Sequence, residues 1–98
     1  MEDVGEAVYA RRDGVVLRDV AGEHLLVPIR HQVADMRAIF AVNRVGLFIW
    51  ERLDGAKGLD RILDEMLGRF DVPAEEASAD LRSFVERLSG AGLVERRS

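Results

Sequence analysis

The chain has 98 residues, 48% of them hydrophobic and 33% charged, with a formal net charge of −4. A chain of this length forms one domain around one core, burying about 60–65% of the surface its unfolded form exposes. It has no cysteine, which excludes disulfides, thiol chemistry and thiolate metal sites; no apolar run nears the roughly 20 residues that span a bilayer, and its acidic balance suits a phosphate backbone poorly.

The N-terminal stretch MEDVGEAVYARRDG is acidic and lacks a secretory signal's basic start and apolar segment, so a cytoplasmic location is expected. Residues 1–7 read as a loose lead-in and residues 8–98 as the single domain. Residues 8–12 form a short strand or an extended approach, and Asp13-Gly14 is a turn pair. The β-branched run Val15-Val16-Leu17-Arg18-Asp19-Val20, the turn Ala21-Gly22-Glu23 and the run His24-Leu25-Leu26-Val27-Pro28-Ile29 predict a β-hairpin. Pro28 cannot donate to a ladder and belongs at a strand end or edge. Residues 30–37 are polar and read as a loop. Ala38, Ile39, Phe40, Ala41 and Val42 form a third strand.

Asn43 suits a helix N-cap, where its side-chain oxygen accepts a free backbone N–H. The helix that follows, residues 44–53, is apolar on nearly every side (Val45, Leu47, Phe48, Ile49, Trp50, Leu53) and must be enclosed. Asp54-Gly55 ends it. Leu59, Ile62, Leu63, Met66, Leu67 and Phe70 then mark one helical stripe, with Glu65 and Arg69 as an i,i+4 pair on the opposite face. Asp71-Val72-Pro73 breaks that helix and starts a third, since proline is tolerated in a first turn. The third helix runs to about Ser89 with the stripe Ala77, Leu81, Phe84, Val85 and Leu88. Gly90-Ala91-Gly92 stops it. Leu93 and Val94 fold back on the core, and residues 95–98 form an exposed tail. The expected class is α+β: three N-terminal β-strands followed by three α-helices in two layers, with a winged-helix-like order.

Little here points to catalysis. His24 and His31 lack further ligands at metal-binding spacing, so no metal site is expected. The chain has no threonine, and no serine lies in a nucleophile-elbow or phosphate-loop context. The carboxylates lie on polar helix faces. The chain therefore reads as non-enzymatic and without cofactor. Gly55-Ala56-Lys57-Gly58 matches the GxxG loop of KH domains, but those interleave strands with helices, so a helix–helix turn is the simpler assignment. A DNA reader needs a basic recognition helix. The second helix shows Asp60, Arg61, Asp64, Glu65 and Arg69, and the third Glu75, Glu76, Asp80, Arg82, Glu86 and Arg87. A winged-helix DNA-binding regulator remains the alternative class, without a basic face to support it. The constructive option is an edge strand that accepts an extended peptide. A homodimer paired through the same edge is the third possibility.

The series Val42-Asn43-x-x-Gly46, Trp50, Leu53-Asp54-Gly55, the helix from Leu59 to Phe70, Asp71-Val72-Pro73 and Gly92-Leu93 resembles the PqqD family, the coenzyme PQQ synthesis protein D group, over residues 14–94. Val42 stands where that family usually has leucine, and Gly58 where it often has threonine. The resemblance implies a non-catalytic recognition element that binds the leader of a ribosomal precursor peptide and presents it to a radical SAM maturation enzyme, PQQ synthesis being one such pathway. No nucleic acid or membrane partner is implied. It places the leader as a strand beside Ala38, Ile39, Phe40, Ala41 and Val42, against a groove wall from the third helix at Leu81, Arg82, Val85 and Leu88. It also implies homodimers, including domain-swapped ones, with residues 30–37 as the hinge. Asn43, Gly46, Trp50, Gly55, Gly92 and Leu93 are assigned structural roles as cap, close contact, core, stops and fold-back.

Overall fold

A computed structural model describes residues 4–97. Its elements in chain order are β1 (Val8–Arg11), β2 (Val15–Val20), β3 (Glu23–Arg30), β4 (Val33–Ala34), β5 (Phe40–Val42), α1 (Arg44–Arg52), β6 (Asp54–Gly58), α2 (Leu59–Arg69), α3 (Ala74–Gly90) and β7 (Val94–Arg96). The class is α+β: an N-terminal sheet region followed by three helices, each within about a residue of its expected bounds.

In the main sheet β3 is the middle strand. It pairs antiparallel with β2 along the whole of β2, and with β5 through His24↔Val42, Leu25↔Ala41 and Leu26↔Phe40. Ala21 and Gly22 both have positive φ, +52° and +85°, which twists the β2–β3 turn to match its strands. The register puts Leu26 between Leu17 and Phe40, and Leu26 is wholly buried. Pro28 pairs with Val15 at the end of the β2 ladder, beyond the last β5 pair, so its missing N–H breaks no bond to β5. Residues 30–37 are not one irregular loop. The chain turns at His31 and Gln32, both at positive φ, returns as β4, and holds the turn with an Arg30–Asp35 ion pair at 3.2 Å.

The second sheet was not expected. It has the order β6-β1-β7. Val8–Arg11 therefore belongs apart from the hairpin, the Gly55–Gly58 link is a strand rather than a plain turn, and the tail pairs with β1 through Arg96. The lead-in is also tied down from residue 4: Val4–Glu6 form a turn of 3-10 helix and Ala7 is buried. Residues 1–3 and 98, expected to be loose or exposed, lie outside the described residues. These segments cohere because each satisfies a neighbour's backbone. Gly58 caps α2 without a side chain, and Leu59 N–H instead donates to the Ala7 carbonyl at 3.0 Å. The Arg11 guanidinium donates to the carbonyls of Trp50 and Glu51 at 2.8 and 2.7 Å, closing the C-terminus of α1 with a cation.

The core is shared by all three helices and the main sheet. Ile49, Trp50 and Leu53 from α1 and its end meet Ile62 and Met66 of α2 and Leu81, Val85 and Leu88 of α3. Glu65 does not pair with Arg69. It takes Arg52 at 3.2 Å and Lys57 at 3.1 Å, with Arg61 at 4.0 Å, while Arg69 lies against the Phe70 ring. The Lys57 and Arg52 hydrogen bonds, Lys57 first, hold the Glu65 carboxyl below the ordinary glutamate range. Asp54 is lowered as well, because the backbone N–H groups of Ala56 and Lys57 donate to it at 2.9 and 3.1 Å. The two carboxylates fasten the link between α1 and α2.

Candidate functional site

β5 is a strand with one used side. Among the described residues it pairs with β3 alone. Alternation sets its faces: Phe40 and Val42 turn inward, and Ala41 faces solvent. Ala38 and Ile39, half-buried, lead into it from the β4 turn. Asn43 then ends the strand by starting the helix. Its Oδ1 accepts from Gly46 N–H at 2.8 Å. The Asn43 cap thereby fixes where the open edge stops.

Across from that edge runs α3. A groove of about 230 Å³ lies between them, with Ala41, Val42 and Asn43 on one side and Asp80, Ser83, Phe84 and Arg87 on the other. Val45, Gly46 and Ile49 of α1 form its end. The four α3 residues fall at i, i+3, i+4 and i+7, which is one helix face. Phe84 is buried at the groove's base. Its ring meets Phe40 edge-on, centroids 6.1 Å apart. Gly46 lets the ring sit close: a Cβ there would lie 3.2 Å from the ring tip, and the ring would have to give by a few tenths of an ångström. The Arg87 guanidinium stands 5.1 Å from the centre of the Phe40 ring. Asp80, Ser83 and Arg87 are exposed.

This arrangement re-sorts the expected site residues. Of the expected strand Ala38, Ile39, Phe40, Ala41 and Val42, only Phe40–Val42 form the sheet edge; Ala38 and Ile39 stand before it without a pairing to β3, still part of the turn that follows β4. Leu81, Val85 and Leu88 do not present a surface: they are at most 3% exposed and belong to the core. Arg82 is exposed but points to a different hollow, beside Gly5, Leu59 and Leu63. The face of α3 beside β5 is one residue round from the expected one. Its signal was Phe84, counted with the core stripe, flanked by Asp80, Ser83 and Arg87. Gly55, expected to stop the first helix, lies instead inside β6, since α1 already ends at Arg52 with Leu53 as its cap. Trp50 is buried, Gly55 and Gly92 take φ of +82° and +75°, and Leu93 is buried with its N–H on the Leu88 carbonyl.

Elsewhere the described residues hold no group of three or more His, Asp or Glu side chains placed for a metal ion. His24 Nδ1 lies 2.5 Å from Asp19 across the hairpin, and His31 is exposed in a turn. No helix among them is long and apolar enough to cross a membrane.

Fold and groove together define a small α+β module with an open sheet edge set against a helix-lined cleft. The chain belongs to the PqqD family, described as coenzyme PQQ synthesis protein D, whose model matches residues 14–94. A relative, the PqqA binding protein of Rhizobium meliloti (strain 1021), is 39% identical over 71 residues, which is 69% of this chain and 71% of that protein. Among solved structures, TbiB1 in complex with the TbiA(beta) leader peptide superposes with a TM-score of 0.68 at 26% identity, covering 88% of this chain and 94% of that one.

Proposed function

We propose that this chain is a non-catalytic recognition element for a ribosomally made precursor peptide. Its leader adds as a strand along the free edge of β5, with its inward side chains in the groove against α3. The observation that carries this is the open β5 edge, flush with a cleft whose base is apolar (Val42, Phe84, Ile49) and whose rim is polar. Backbone hydrogen bonds supply general affinity in such a mode, and the cleft selects side chains. Family membership supports the reading, as do a relative named for binding PqqA and a similar structure that holds a leader peptide.

The wall of the site is then Asp80, Ser83, Phe84 and Arg87, with Phe40, Ala41 and Val42 as the strand and Ala38 and Ile39 leading into it. The recipient of the presented peptide is a radical SAM maturation enzyme, with PQQ synthesis the first pathway to examine. Self-association through β5 would compete for the same edge. The test is a titration of isotope-labelled protein with synthetic precursor peptides, PqqA first. Amides of residues 38–42 and 80–87 are expected to move together. Shifts confined to β2 or to the β6-β1-β7 sheet would place the site elsewhere, and no binding at high micromolar peptide would contradict the function.

A further inference from the structure

The α3 wall carries a charge pattern that the apolar base does not need. Asp80 and Arg87 lie at the two ends of the same helix face, opposite in sign. Among the described residues neither has an ion-pair partner; Arg87 has only the Phe40 ring beneath it. Seven residues of helix separate them, a rise of about 10.5 Å. An extended strand advances about 3.4 Å per residue, and only alternate side chains share a face. Neighbours on one face therefore recur about every 6.8 Å. Two positions is too short to leave a residue over Phe84 between the charges. Four positions, about 13.6 Å, leaves one, and the reach of the arginine and of a long side chain facing Asp80 covers the difference.

Resting on the strand-addition reading above, we propose that the groove selects a leader segment whose groove-facing side chains are an acid, an apolar residue and a base at alternate positions. The acid lies toward Arg87 and the base toward Asp80. The apolar residue seats on Phe84 and Val42. A segment in the wrong direction or with exchanged charges meets like charge at both ends, so the pair fixes orientation as well as identity. Arg87 carries the stronger preference: held over Phe40, it is pre-positioned beside the start of the strand, and a guanidinium matches a carboxylate bidentately.

The test is selection from a displayed library of random dodecapeptides on the intact chain, with NMR shift mapping of the enriched peptides. Peptides that shift residues 38–42 are expected to carry opposite charges flanking an apolar residue with the spacing above. Selection on Arg87→Glu is expected to replace the acid with a base while keeping the apolar position, and Asp80→Lys to do the converse. Both side chains are exposed, so the folded chain tolerates the changes. Peptides that bind at β5 without charge pairing, or whose pairing neither variant alters, would overturn the charge rule and leave strand addition standing. A library in which nothing shifts residues 38–42 would overturn both.

Discussion

The two sheets use the same backbone chemistry for opposite ends. In the β6-β1-β7 sheet, β1 is enclosed by segments from the α1–α2 link and the C-terminal end. That sheet closes the molecule: it buries Ala7 and Ala10, seats the start of α2 and supplies Arg11 to the end of α1. Its outer strands are short, bulged or charged, with Asp54 and Lys57 on β6 and Glu95 and Arg96 on β7. These are features that discourage further pairing. The β5 edge of the main sheet is also short, but it lies beside a cleft with an apolar base and a polar rim rather than open solvent. An edge becomes a receptor through what stands next to it, not through its unpaired groups alone.

The largest expected effect separates core from wall. Leu88→Ala should cost about 2–5 kcal/mol of stability, read by denaturant unfolding, because the wholly buried side chain leaves a cavity. A variant of native stability that only loses peptide would return Leu88 to the groove. Next comes Ser83→Trp, which fills the cleft from an exposed position. Peptide affinity should fall tenfold or more, about 1.4 kcal/mol, with little change in stability. Arg82→Trp, one residue on and facing away, should leave affinity unchanged. Equal losses at both positions would erase the distinction between the faces.

Asn43→Ala should cost about 1 kcal/mol through the lost cap and loosen the end of β5, seen as faster amide exchange at residues 40–46. The smallest effect is in the closing link. Glu65 and Asp54 titrate below their ordinary values, so their contribution is complete above the ordinary carboxylate range and is lost as pH falls through the lowered values. Both are exposed enough for solvent to screen them. Glu65→Gln should flatten the acid side of the stability profile slightly and leave peptide binding at neutral pH alone.

The sequence makes some of this plain and hides the rest for physical reasons. The α2 stripe from Leu59 to Phe70 and the Asn43 cap are local signals, and both elements fall where they predict. The hairpin β2–β3 is local too. Asp54-Gly55-Ala56-Lys57-Gly58 has residues that disfavour strands, and its pairing, Gly58 with Val8 and Asp54 with Ala10, spans about half the chain, so nothing nearby announces it. On α3 the periodicity identifies one buried stripe, Ala77 to Leu88, but a period says nothing about which flank meets β5. That is set by contacts between residues far apart in the chain, such as Phe84 against Gly46 and Phe40. The expected wall therefore fell on the stripe itself.

The central claim is that β5 gains a partner on its free side. Amide hydrogen exchange of the chain with and without a bound precursor peptide tests this most directly. Exchange should slow at those amides of residues 38–42 that point away from β3, while β2, β6 and β7 stay unchanged. Protection appearing on another edge, or none at β5 when the peptide is bound, would contradict it.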